Sequence, residues 1–212
     1  MYKWAGCLRR ASFSVARSSD TSALADIESP PVRNTNDKFL DAPVAVCTLD
    51  SPVGTLLAAA SAHALVSLEF TQSETLAERR DELCRRFAAN LAPEHPVLAQ
   101  LSTELVEYFA ARRRHFEVPL AYSGSGFQNS VWRLLLQIPY GTTWSYRDMA
   151  ERLGDPLALR AVGGANHANP IAIVIPCHRV INANGALGGY GGGAWRKRLL
   201  LDLEVGQQRL EF

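Results

Sequence analysis

The sequence has no apolar run of about eighteen residues, so nothing in it reads as a membrane-spanning helix. Cysteine is scarce. Cys7, Cys47, Cys84 and Cys177 are the only four in 212 residues, widely spaced and without a C-x-x-C pair. That spacing argues against a zinc ribbon and against a disulfide framework, and it favours a reducing, intracellular compartment. Net charge is also nearly absent, at +1. The whole chain therefore exerts no pull on nucleic acid, and any such attraction has to be local. What is present is apolar: 47% of the residues are hydrophobic, ample for a core. The length suits one large domain or two small ones.

Residues 1–41 are rich in Ser, Ala and Arg and close on Pro30-Pro31. Lys3, Arg9, Arg10 and Arg17 precede the first acid, Asp20. An organellar transit peptide has this pattern, and so does a disordered tail or a start codon placed too early. From Val44 the text turns β-like. Residues 44–49, 55–60 and 64–70 are expected as strands of an antiparallel meander, with a turn at Asp50-Ser51-Pro52-Val53-Gly54. Residues 73–90 and 96–114 are expected as helices. Cys84 falls among the apolar positions of the first, where core packing is its default role. Arg112-Arg113-Arg114 suits the C-terminal end of the second, where cations meet the negative end of the helix dipole. The Pro/Ser/Gly stretch 118–126 reads as a linker and domain boundary. The expected division is thus 1–41, 42–118 and 119–212.

Beyond the linker the pattern is mostly helical. Helices are expected over 126–137, 145–153 (with Ser145 as N-cap) and 157–168. The last two, joined by Gly154-Asp155-Pro156, have the form of a helix-turn-helix. The final one is unusually small-faced: Ala158, Ala161, Gly163, Gly164 and Ala165. Two glycines cost a helix roughly 2 kcal/mol relative to alanines. Such a cost points to close approach of another backbone, either a protein core or a DNA groove. A small face with one Arg160 suits the minor groove, where base patterns are degenerate, better than the major groove.

Ile173-Val174-Ile175-Pro176-Cys177-His178-Arg179-Val180-Ile181 reads as a buried strand that stops and presents a thiol. The thiolate is the nucleophile, and a histidine and an arginine beside it would lower the thiol pKa. A structural core cysteine fits the same window. A glycine-dense loop follows, from Leu187 to Gly193, allowing backbone amides to approach a ligand closely. Residues 195–205 close the chain as a helix on which Lys197 and Glu204, seven residues apart, share a face. From Leu120 onward there are nine cations and six anions, a modest excess suited to transient, salt-sensitive DNA scanning.

Phe127-Gln128-x-x-Val131-Trp132, Ile138-Pro139-x-Gly141-x-Thr143-x-Ser145-Tyr146, Arg160-Ala161-Val162-Gly163, Asn169-Pro170, Pro176-Cys177-His178-Arg179-Val180 and Gly189-Tyr190 follow one another in order. This succession resembles the O6-alkylguanine-DNA alkyltransferases. The resemblance implies an α+β fold. A ribonuclease-H-like N-terminal domain with a small antiparallel sheet would precede a mostly helical DNA-binding domain.

It also implies a single-turnover repair reaction. The protein binds duplex DNA in the minor groove with little sequence preference and turns the damaged base out. It then moves the alkyl group from O6 of guanine, and by extension O4 of thymine, to Cys177. His178 would take the thiol proton through a water, and Glu204 would orient His178. Tyr146 would press the phosphate and hydrogen-bond the base. Lys197 would hold the closing loop. Arg160 would fill the vacated stack, with Ala161, Gly163 and Arg179 in the DNA-facing set. Asn169 would brace the turn before the cysteine. Tyr190, the Gly191 amide and the Val180 backbone would contact the base.

The resemblance implies no cofactor, no membrane partner and a monomer. Its compartment would be nuclear in a eukaryote and cytoplasmic in a prokaryote, with organellar targeting by the tail as an alternative. Some members hold a structural zinc, but the aligned positions here, Ala42, Ser61, Val66 and Glu117, are not ligands, so no metal is expected. His63, Cys47 and Cys84 are the remaining candidates for one. Three rival readings are a lesion-binding module without an acceptor, a cysteine-sensing regulator and a thiol hydrolase. Cys177 is present, basic recognition residues are missing, and a papain-like histidine would be distant in sequence. These facts weigh against each in turn.

Overall fold

The computed structural model describes residues 44–87, 90–91 and 95–206. The 1–41 tail with Cys7 lies outside them, as do Arg209 and Glu211. β1 (Ala45–Leu49), β2 (Leu56–Ser61) and β3 (Ala64–Phe70) form the expected antiparallel meander. β2 is central and buried along its whole length. Its alternation sends Leu56, Ala58 and Ala60 to one face and Leu57 and Ala59 to the other. α1 (Leu76–Phe87) covers the second face with Leu83 and Phe87. α2 (Pro96–Phe109) covers the first with Leu98, Leu101 and Leu105.

Both N-terminal helices end earlier than their periodicity suggests. α1 is helical to Phe87, and by Asn90 the chain has entered β4 (Asn90–Leu91), which pairs parallel with β1 at the sheet edge. α2 stops at Phe109, and Ala111 then adopts φ +56°. Arg112 to Arg114 therefore lie past the helix rather than in its last turn. Arg113 pairs with Glu107 and Glu117 instead.

Residues 118–126 are not a loose linker. Val118, Leu120 and Ala121 are buried, because the outer edge of β3 binds them: Leu65 N donates to Pro119 O (2.8 Å), and Ala121 N to Leu65 O (2.9 Å). Further along the same edge Leu68 N donates to Pro170 O (2.9 Å), and Ala172 N to Leu68 O (2.8 Å). The N-terminal sheet is thus bonded directly to the segment that leads into Cys177.

α3 (Gly126–Leu135) and α4 (Tyr146–Arg152) begin on full capping boxes, Ser125 with Gln128 and Ser145 with Asp148. α5 (Leu159–His167) completes the helix-turn-helix, and Trp132 of α3 donates its indole N–H to Ala165 O of α5 at 2.9 Å. No strand precedes the cysteine. Residues 172–175 form tight turns, with Ile173 at φ +70°, a conformation that costs a β-branched residue on the order of 1–3 kcal/mol. The apolar run is buried by packing rather than by ladder pairing. Cys177–Arg179 is a single 3-10 turn, and the short strand comes after it: β6 (Val180–Ile181) pairs parallel with β5 (Trp144–Ser145). α6 (Ala194–Glu204) closes the described fold. Among the described residues no helix is long and apolar enough to cross a membrane.

Candidate active site

Cys177 is a free thiol, 7% exposed, at the floor of a cavity of about 330 Å³. Tyr146 and Gly163 from the helix-turn-helix form one side of it, Asn166 and His167 from the end of α5 another, and Gly189, Tyr190 and Gly191 the rest. This volume lies within the range of small-molecule sites. A wider groove of about 650 Å³ reaches the same sulfur past Phe70, Thr71, Ala172 and Trp195.

The sulfur accepts a hydrogen bond from Asn169 Nδ2 at 3.1 Å. The same amide donates to Ile175 O (2.8 Å), and its Oδ1 accepts from Ile171 N (3.0 Å). Asn169 therefore shapes the turn before the cysteine and also touches the thiol itself. Burial pushes the Cys177 thiol up, while the Asn169 amide and the Lys197 cation pull it down. The resting group is neutral at physiological pH, so reaction requires the proton to leave.

Behind the thiol lies a buried carboxylate, Glu204. Its Oε1 accepts from Tyr108 Oη (2.8 Å), His178 Nε2 (2.9 Å) and Arg179 Nη2 (2.9 Å). Its Oε2 accepts from Arg179 Nε (2.8 Å) and Gly141 N (3.0 Å). Burial would raise the carboxyl, but Arg179 and His178 hold it well below the usual carboxylate range. Burial lowers His178, against the pull of Glu204, so the imidazole is neutral. With Nε2–H donated to the carboxylate, Nδ1 carries the lone pair, and it makes no hydrogen bond with the described residues. The second positive charge, Lys197, is fully buried. Its Nζ donates to Val180 O (2.6 Å), Leu187 O (2.5 Å) and Gly189 O (3.4 Å), tying the glycine loop to β6. Desolvation lowers it to about 8.

The structure brings Cys177, His178, Glu204, Tyr146, Lys197, Asn169, Tyr190, Gly191 and Gly163 together. Arg160 and Ala161 stand apart from the cavity, exposed on the outer face of α5. Gly164 also faces outward, and a Cβ there would meet nothing within 4 Å. The close approach that its glycine implies is therefore not to this chain's own core.

Arg179 is a correction. It is 7% exposed and spends its guanidinium on Glu204 and on Ile138 O (2.7 Å), so it neither faces DNA nor lowers the thiol pKa. Lys197 is the cation that acts on the sulfur. Val180 is fully buried, does not line the cavity and gives its carbonyl to Lys197, so its backbone does not stand where the expected contact with the base requires.

Sequence reasoning missed Tyr108, whose hydroxyl meets Glu204 across 96 residues. It also missed Arg196, which joins Val53 O (2.6 Å) to Gly192 O (2.8 Å) and so anchors the glycine loop on the N-terminal turn. Gly192 itself admits no side chain, since a Cβ would lie 2.5 Å from the Phe70 ring. Among the described residues no three His, Cys, Asp or Glu side chains gather as a metal site.

Two family models match the chain. The ribonuclease-like domain of 6-O-methylguanine DNA methyltransferase matches residues 45–122, and the DNA binding domain of the same family matches residues 126–206. A methylated-DNA–protein-cysteine methyltransferase of Mycobacterium leprae is 43% identical over 160 residues, which is 76% of this chain and 92% of that protein. The inducible enzyme of that name from Bacillus subtilis is 44% identical over 135 residues, 63% of this chain and 75% of its own. Among solved structures, Mycobacterium tuberculosis OGT in complex with DNA is similar with a TM-score of 0.68 and 42% identity, covering 77% of this chain and 94% of that one.

Proposed function

The chain belongs to the 6-O-methylguanine DNA methyltransferase family, and from that premise we propose that it repairs DNA by moving an alkyl group from O6 of guanine to its own Cys177, once per molecule. The observation that carries the residue assignment is a single sulfur at the floor of a base-sized cavity, with a neutral imidazole fixed next to it in the chain by a buried carboxylate. In this reading residues 42–118 are the scaffold and residues 119–212 carry the chemistry. The protein acts as a monomer in the minor groove.

The transfer is a displacement. The thiol proton passes to His178 Nδ1 through a water, and Glu204 stabilises the imidazolium. The sulfur lone pair bonds the alkyl carbon, the C–O6 bond breaks with its electron pair going to the base, and the guanine anion takes up a proton from solvent as the imidazolium releases one. A poor leaving group needs hydrogen bonding as that charge develops. Tyr146, on the cavity wall, donates to the base. The Gly191 amide and Tyr190 face O6. Asn169 and Lys197 stabilise the thiolate, and Lys197 also holds the loop. O4 of thymine is a second, poorer substrate position.

Turning a base out costs a few kcal/mol, less for a damaged and poorly paired one. In this reading Arg160, exposed on α5 beside Ala161 and the small face that includes Gly163, occupies the gap in the stack. Arg160→Ala is expected to slow repair of duplex DNA at least tenfold while leaving reaction with free O6-benzylguanine within about threefold. Single-turnover rates on the two substrates check this, and equal losses on both would remove the intercalating role.

The test of the reaction itself is an intact mass. After incubation with a duplex bearing O6-methylguanine, the protein should gain one methyl group, confined to the peptide that contains Cys177. No gain, or turnover beyond one equivalent, would overturn the assignment.

A further inference from the structure

One polar group at the site has no role so far. Asn166 lies in the last turn of α5, 8% exposed, and lines both the cavity and the groove that meet at Cys177. Its Oδ1 closes no hydrogen bond with the described residues, and its amide lies beside the Tyr146 hydroxyl without closing one of normal geometry. A buried amide left unpaired is destabilising, so one that persists needs an explanation. The neighbouring Tyr190 hydroxyl, carried on the glycine loop, is likewise buried, with the Cys177 sulfur beside it and no hydrogen bond of normal geometry closed. A molecule entering the cavity therefore meets two unpaired polar groups, one of them on a glycine-rich segment.

On the reading that Cys177 takes its alkyl group from an everted base, we infer that Asn166 is a specificity residue that reads the amino edge of that base. Its Oδ1 accepts from the exocyclic amine of guanine. Its Nδ2 donates to the Tyr146 hydroxyl, leaving the phenolic proton to face the ring nitrogen N3. Tyr146 is near enough for this amide to favour its ionised form, although burial raises its pKa. The two amide atoms thus act side by side, one on the base and one on the residue that donates to it.

The chemistry sets a discrimination. O6-methylguanine presents an N–H at this edge. O6-methylhypoxanthine lacks the amine, and O4-methylthymine has no N–H on its pairing edge. Either would leave Oδ1 buried and unpaired, and a site built to bond a group rejects the analogue that lacks it. The amide therefore favours guanine adducts over both.

The experiment compares single-turnover methylation of the full chain on two duplexes that differ only in carrying O6-methylguanine or O6-methylhypoxanthine, read by intact mass. The unaltered protein is expected to prefer guanine by about tenfold or more, the size of one hydrogen bond. In Asn166→Leu that ratio should fall toward one, while Asn166→Asp, which keeps an acceptor oxygen, should retain most of it. The melting temperature of free Asn166→Leu should hold or rise, because an unpaired amide has been removed from the interior. Equal reaction of the unaltered protein with both bases overturns the inference whatever the variants do. So does an Asn166→Leu protein that keeps the ratio, or one that slows equally on both bases and melts lower, since that describes a structural amide. If the unaltered protein methylates Cys177 from neither duplex, the failure belongs to the reaction assignment and takes the inference with it.

Discussion

Glu204→Gln is expected to lower the melting temperature by on the order of 10 °C and to cut the alkyl-transfer rate by at least a hundredfold. The carboxylate accepts five hydrogen bonds, from Tyr108, His178, Gly141 and twice from Arg179, and it is 6% exposed. An amide of the same shape supplies one oxygen, turns an N–H toward donors and leaves the Arg179 charge without its counter-ion. Removing one partner of a buried ion pair costs about 3–5 kcal/mol, and each kcal/mol is worth roughly 2–4 °C in a chain of this size. The rate falls for a separate reason. His178 loses the acceptor that fixes its tautomer, and the imidazolium loses its stabilising charge.

The same pair sets the acid limit. His178 is depressed in the fold, so the unfolded chain binds its proton first, and that contribution fades as pH drops below about 6.5. Glu204 is depressed as well. Its stabilisation is present above the unfolded carboxylate pKa of about 4.3 and is lost as pH falls below it. The Gln variant should lose the second stage and keep the first. Calorimetric melts from pH 3 to pH 8 check both, and a variant melting within 2 °C of the unaltered protein would show that Glu204 is not the hub described.

Cys177→Ala should abolish transfer completely while duplex binding stays within about twofold. The sulfur accepts from Asn169 and lies beside the Tyr190 hydroxyl, and the Asn169 amide keeps its bonds to Ile175 and Ile171. The outer face of α5, with Arg160, Ala161 and Gly164 exposed, does not involve the sulfur. The variant should therefore fold, bind DNA by anisotropy titration, and show no mass gain from any O6-alkylguanine duplex. Residual methylation mapped elsewhere on the chain would make another residue the acceptor.

Much of this site was legible locally. Ser145 with Asp148 and Ser125 with Gln128 fix helix starts within four residues. The adjacency of Cys177 and His178, and the seven-residue step from Lys197 to Glu204, needed only chain geometry. The expectations that moved did so where distant chain competed. Residues 118–126 read as a linker from their composition, yet the free edge of β3 captures 119–121 of them. Residues 173–175 read as a strand from their β-branching, yet the same edge takes Ile171 just upstream, and the chain must turn sharply to bring Cys177 back.

The sequence alone singled out the candidate nucleophile, the capped helices that flank it and the small face of α5, because each depends on residues within a turn or two of one another. Only the tertiary structure decided what surrounds the sulfur. It turned Arg179 inward and left Lys197 as the cation that acts on the thiol. It set Tyr108 against Glu204 and left the Asn166 carbonyl oxygen without a partner among the described residues. Those outcomes depend on which distant groups share a dry interior, where each charge must find its counter-ion and each donor its acceptor, and no local periodicity records that pairing.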